Sequence, residues 1–418
     1  MRLLRFDKGS IALILSACAL YYFHFYNTTW DIFSLDANAH VSYVTHIVQH
    51  GTLPEESVTG AARHPPTYYI AAAGLYKLAM MAGAQDPLMV VRHLSMMLFM
   101  VFAVMSALLL RRMLPLQSAA YYAPLAILLF WPIGVTMGGR ISCDIFLYAC
   151  EAGTLYYTVC WLQTKMLKYL ALMFFWCGLT VLAKNAGVIL LGIGFSVLLC
   201  ALFQYRRTPR IFLRFELLAS ILFTLVCTYL TVKHGWVISH IHGVLQSRSF
   251  SDWWSIFTGF NAFLFLYDND MGISQDMFWN MVLHSLLLGH VMPWRNPDIL
   301  IAFNILWFAI IIYILESAFR FKLLSLQDKR IMQFGGLFTL IMIASMVYMW
   351  RYTGNFEYED SRYIYPVIII IALYYGKAME LHQQAGNNTA YRIGVDLAAM
   401  FALSSVVLFV TQYILTTH

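Results

Sequence analysis

Asp36 and His40 stand four residues apart in the segment DANAHVSYVTHIVQHGTLPEESVTGAARHPPTYY (residues 36–69), ahead of a Pro-Pro-aromatic run that opens at His64. On a helix this spacing sets the carboxylate one turn from the imidazole, on a shared face. A carboxylate held beside an imidazole is equipped for general base chemistry. The same pair would give two ligands to a metal, which does not make a metal site; a divalent cation stays open, and no other cofactor is implied. His284 and His290 are six apart, a poor helical spacing for a shared ion. Farther along, Arg140, Asp144, Lys184 and Arg362 break or end apolar runs. No GxxxxGK[ST], GxSxG or HExxH motif occurs. Each charge also has a plainer reading. Asp36 and His40 would belong to an ordinary surface helix, Arg140 and Asp144 would form a local i, i+4 salt bridge, and the rest would snorkel to the membrane edge.

The elements that must hold these groups follow from periodicity. A helix from Asp36 places Ala37, Val41, Val44 and Val48 on one stripe, at i, i+4, i+7 and i+11, and Asp36, His40 and Tyr43 on the neighbouring one. Gly51 stops it and Pro54 prevents its resumption. Such a helix lies on a membrane surface, apolar stripe down, with the acid and imidazole over whatever lies beneath. The apolar stretch Pro65–Met81 reads as a second interfacial helix with Pro66 in its first turn. A membrane crossing there would invert every later loop.

Composition fixes the broad class. The chain is 61% hydrophobic and only 11% charged, with a mean hydropathy of +0.67, against about 25% charged residues in soluble domains. This predicts an all-α polytopic membrane protein, a single transmembrane domain over residues 1–418. About 11 spans are expected, near 9–26, 93–113, 116–137, 140–163, 167–183, 186–204, 212–232, 299–316, 331–350, 363–381 and 395–415. The first is read as retained rather than cleaved, because it lacks a small-x-small cleavage site. With the N-terminus inside, the inner segments hold 17 of the 27 basic residues, among them Arg111, Arg112, Lys165, Lys168, Arg206, Arg207, Lys322 and Arg330. That bias obeys the positive-inside rule and explains the net charge of +6 without nucleic acid. The outer face then carries segments 27–92, 233–298 and 351–362, including Trp253-Trp254. All seven cysteines lie in apolar runs without ligand spacing, so neither disulfides nor a thiolate metal site is expected.

In this topology Asp36, His40, His64, Arg140, Asp144, Lys184 and Arg362 all fall at the outer face. Converging charges of both signs above an apolar bundle suit a lipid with a phosphate head, held by cations, beside a carboxylate that moves a proton. A transporter or lipid flippase also needs a charged cavity among apolar helices. Such proteins tend to carry repeats and broken helices at the midplane, and no repeat is visible here. A non-catalytic assembly subunit would not need so many ionisable groups at one face.

The pattern Asp36-x-x-x-His40, then Gly51-x-Leu53-Pro54 and His64-Pro65-Pro66-x-Tyr68-Tyr69, resembles the opening of GT-C fold glycosyltransferases that use polyprenyl-phosphate sugars, notably the bacterial relatives of protein mannosyltransferases and the aminoarabinose transferase. Looser matches follow at Arg140-x-Ser142-x-Asp144, Leu182-Ala183-Lys184, Phe278-Trp279 through Gly289, and Ser361-Arg362-Tyr363 ahead of Pro366. Departures from the family are Ala37, where relatives carry a second acid, and His284-Ser285 and His290, where they often carry Lys-Ser and an acid. The resemblance implies an inverting transfer of sugar from a polyprenyl-phosphate donor to a glycan, lipid or protein acceptor, at the outer face of a bacterial inner membrane. It implies Asp36 as base with His40 beside it, and Lys184, Arg362, Arg140 and His64 around the donor phosphate. Asp144, Tyr68 and Tyr363 are further site candidates.

Overall fold

The computed structural model describes residues 7–31, 36–204, 215–234, 278–288, 297–353 and 364–414. Among them every regular element is helical. Seven helices are long and apolar enough to cross a membrane: Lys8–Tyr26, Pro87–Met113, Asn185–Phe203, Phe215–Lys233, Asp298–Leu323, Leu326–Val347 and Asn388–Tyr413. The other four expected spans correspond to helices that are shorter or less apolar. One of them, 116–137, is split into α5 (Ala119–Leu129) and a short α6 (Pro132–Met137). Pro132 has no N–H to carry the ladder onward, and it disfavours helical dihedrals at Trp131.

Contacts group the chain into two compact units. One comprises Met1–Thr29, Leu110–Thr136 and Gln246–His418; the other, Trp30–Leu109 and Met137–Leu245. In the first, α14 (Val367–Gln384) is buried along nearly its whole length. It packs on α5, on α12 (Pro297–Ser317), on α13 (Leu326–Thr353) and on α15 (Asn388–Ile414). Gly376 permits this approach: a methyl there would stand 2.4 Å from a Leu114 methyl and 2.9 Å from the Ala120 carbonyl oxygen. Small residues at such crossings let membrane helices gain dispersion contact without a hydrophobic drive. Polar ties supplement the packing. His24 Nδ1 on α1 (Lys8–Tyr26) lies 2.6 Å from the Tyr413 hydroxyl, and the Trp131 indole donates to the Leu286 carbonyl of α11 (Phe278–Leu288) at 2.6 Å.

The second unit holds the candidate site. Here α2 (Ala37–His50) pairs with α3 (Thr67–Met81), and α7 (Asp144–Thr164) pairs with α8 (Leu167–Ala183), which also packs on α10 (Phe215–Lys233). Glycines again set the spacing: a methyl on Gly153 of α7 would meet the Trp176 ring of α8 at 2.4 Å. A hydrogen bond from the Thr224 hydroxyl to the Phe174 carbonyl, 2.6 Å, joins α10 to α8. Lys165 takes a left-handed φ of 57° and caps α7, so α8 turns straight back along it. The chain leaves α8 through a 3-10 turn, Asn185–Val188, and enters α9 (Ile189–Gln204).

Candidate functional site

The helix expected from Asp36 is present, and Gly51 ends it with a left-handed φ of 71°. Its buried face differs from the one that periodicity predicts. Ala37 and Val44 are buried, but so are His40 and Tyr43, each at 1% exposure, whereas Val41 and Val48 are only half-buried. The reason lies on α3. The Tyr69 ring stacks on Tyr43 with centroids 3.9 Å apart, and its hydroxyl meets His40 Nδ1 at 2.6 Å. A stacked, hydrogen-bonded imidazole is cheaper to bury than its polarity suggests. The His64 ring also stacks on His40, with centroids 6.2 Å apart.

Asp36 occupies the N-cap of α2, where an aspartate ordinarily accepts a backbone N–H. Its side chain makes no such cap bond. Instead Oδ2 lies 3.4 Å from His40 Nε2, ion-pair distance but outside hydrogen-bond geometry, with about a third of the Asp36 side chain exposed (32%). The two expected partners therefore do meet, with the imidazole buried and the acid at the rim.

Beneath them lies a second carboxylate in a different state. Asp144 begins α7 and is 1% exposed. Its Oδ2 accepts the Ser142 hydroxyl at 2.9 Å, and its Oδ1 is bonded by the ammonium of Lys184, itself buried. The ion pair of Asp144 with Lys184 reaches well beyond the local i, i+4 bridge to Arg140 considered from sequence. Arg140 precedes the first turn of α7, and the salt bridge of Asp144 runs to a residue forty positions away. The antiparallel return of α8 along α7 brings that lysine to the start of α7. Two contacts fix its end of the site. Asn185 Nδ2 donates to the Arg63 carbonyl at 3.1 Å, tying the turn after α8 to the loop that carries His64. Gly187 lies so close to Thr180 that a methyl would fall 2.0 Å from its carbonyl oxygen.

Tyr68, the neighbour of Tyr69, meets the Ser95 hydroxyl of α4 (Pro87–Met113) at 2.8 Å. Burial pushes both phenols above their usual range, so they stay protonated. The Cys143 thiol lies beside the Tyr69 phenol, within reach of the Asp144, Lys184 and Asp36 charges. Sequence reasoning passed over three residues here. Arg92, 2% exposed, donates through Nε to the Gly139 carbonyl at 2.8 Å and so holds the strand of chain that carries Arg140. Cys143 reads as one more apolar-run cysteine. Glu151, two turns along α7 from Asp144, is fully buried, with no hydrogen-bond partner for its carboxylate among the described residues. A charge in the middle of an expected span was a usable signal for Glu151; nothing local marks the other two. Arg362 and Tyr363, like Trp253-Trp254 and His290, lie outside the described residues. Among the described residues no group of three or more His, Cys, Asp or Glu side chains is gathered as a metal would require.

Helix order and architecture define a polytopic membrane protein of the GT-C fold. Among solved structures, the crystal structure of ArnT from Cupriavidus metallidurans bound to undecaprenyl phosphate is similar, with a TM-score of 0.60 over 96% of this chain and 76% of that one. Only 12% of the residues are identical, so the likeness is one of fold. No family model matches the sequence, and no curated protein matches it at the sequence level.

Proposed function

We propose that the protein is an inverting glycosyltransferase that moves a sugar from a polyprenyl-phosphate donor to an acceptor hydroxyl at the outer face of the membrane. The observation that carries this reading is the division of labour between two carboxylates in a GT-C fold. Asp144 is buried and neutralised by Lys184, while Asp36 stands at the rim, uncommitted to capping and backed by His40. Two acids in unlike environments take unlike roles. Asp36 is the base: it accepts the acceptor's O–H proton as that oxygen attacks the anomeric carbon and the carbon–oxygen bond to phosphate breaks. The phosphate keeps the bonding electrons and leaves as polyprenyl phosphate. Such a leaving group needs charge stabilisation more than protonation. Arg140, Arg362 and His64 make the direct phosphate contacts in this scheme. Lys184 acts through its pair with Asp144, because its ammonium is already bonded there.

The fold of the undecaprenyl-phosphate-bound neighbour supports a polyprenyl-phosphate partner. The acceptor belongs to the glycan, lipid or protein class, and the positive-inside bias supports an outward site in a bacterial inner membrane. Mass spectrometry of lipid co-purifying with the protein, joined to a radiolabelled sugar-transfer assay, tests the reading. A bound polyprenyl phosphate or its glycoside, with label passing to an acceptor, is expected. Movement of intact donor across the bilayer without consumption would make the protein a flippase instead.

A further inference from the structure

Asp36, His40 and Tyr69 follow one another inward from the rim of the site, with one ring nitrogen of the histidine toward each neighbour. Asp36 Oδ2 faces His40 Nε2 at 3.4 Å, and His40 Nδ1 meets the Tyr69 hydroxyl at 2.6 Å. An ionised carboxylate only accepts. A carboxylate at ion-pair distance favours the ring proton on the nitrogen that faces it, and in a neutral imidazole the other nitrogen is an acceptor. With the ring proton on Nε2, Tyr69 is the donor to Nδ1. Burial, which keeps the phenol protonated, supports the same direction.

Resting on the reading of Asp36 as base, we propose that Tyr69 is a positioning residue that locks His40 in the Nε2–H tautomer and so keeps a neutral imidazole aimed at the Asp36 carboxylate. The geometry favours this role over simple packing. The stack on Tyr43 needs only the ring, at 3.9 Å, whereas the hydroxyl is spent on the histidine. With the hydroxyl present, the Nε2–H tautomer keeps an acceptor, Nδ1, against the phenol O–H. Without it, Nδ1 loses the donor that marks it as the acceptor, and the ring can take the other tautomer, which turns an unprotonated nitrogen toward the Asp36 carboxylate. The groups facing His40 are Asp36 and Tyr43 on its own helix, Tyr69 on α3 and His64 in the loop before it, with Cys143, Asp144 and Lys184 behind Tyr69.

The test is Tyr69→Phe, which keeps the stack and removes one oxygen. In nanodiscs holding the full chain labelled with 15N-histidine, the His40 signals, assigned by their loss in His40→Gln, should report an unprotonated, hydrogen-bonded Nδ1 in the wild type. In Tyr69→Phe they should report a mixture of tautomers. Turnover should fall about tenfold or more, short of the 10²–10⁴ that a base itself contributes. The donor KM should hold within about twofold. A wild-type His40 protonated at Nδ1, or a tautomer unchanged in Tyr69→Phe, would overturn the assignment whatever the activity. The tautomer signals do not depend on which group is the base. An active Asp36→Asn enzyme with the expected tautomer change would therefore count against the catalytic reading and leave the hydrogen-bond assignment standing.

Discussion

At the scale of single residues, the difference between Asp36 and Asp144 is one of solvation and partner. Asp144 is dry, bonded by an ammonium and a hydroxyl, and would need to break both contacts to accept a proton. Asp36 is wet on one side and beside His40 on the other. Asp36→Asn keeps the shape and removes the basicity, so donor binding should persist while transfer falls by at least about 10²-fold. Isothermal binding of polyprenyl phosphate beside initial rates would check it, and near-normal transfer would move the base elsewhere. If Asp36 and His40 instead held a divalent ion, chelation would abolish activity and the Asn variant would demand more metal; activity insensitive to chelator is expected.

At the scale of elements, the site depends on α7 and α8 lying close enough for Lys184 to reach Asp144. Gly153→Ala drives a methyl into the Trp176 ring and should cost about 1–3 kcal/mol by overpacking. The loss would be visible as a lowered midpoint in thermal unfolding in detergent. Lys184→Met leaves a buried carboxylate without its cation and should cost about 3–5 kcal/mol. Adding Asp144→Asn should recover most of that, because the pair is then neutral on both sides. A double variant no more stable than Lys184→Met would mean that the ammonium serves something besides Asp144. Donor affinity measured in that same double variant separates the roles. If it is preserved, Lys184 is a prop for the site, as assigned above; if lost, the lysine reaches the phosphate itself.

At the scale of the whole molecule, the distribution of basic residues predicts which side each loop occupies. Cysteines placed at exposed positions test it in a chain freed of its own seven, since native Cys200 is exposed. Thr52→Cys, just past α2, should react with an impermeant thiol reagent in intact cells. Gln117→Cys and Lys322→Cys should react only after the membrane is opened. External labelling at residue 322 would invert the topology and put Asp36 on the wrong side for an outward-facing transferase.

Local chemistry was enough to decide the helical membrane class, the helix from Asp36 to its glycine stop, and the meeting of Asp36 with His40, because all three rest on interactions within a few residues. Apolar composition forces backbone hydrogen bonds inside each helix, Gly51 takes a φ that other residues resist, and four residues make one turn. The face α2 buries was a different matter. Its valines argued for one stripe, and only the arrival of Tyr69, with a ring for Tyr43 and a hydroxyl for His40, made a histidine-bearing face the better one to bury. Likewise Asp144 had a plausible neighbour in Arg140, yet its cation came from the far end of α8. Nothing within a helical turn could report that choice, since it was made by the glycine-spaced contact between α7 and α8. Arg92 and Cys143 entered the site for the same reason. Each is unremarkable beside its sequence neighbours, and each takes its place from a carbonyl or a phenol that only tertiary packing brings beside it.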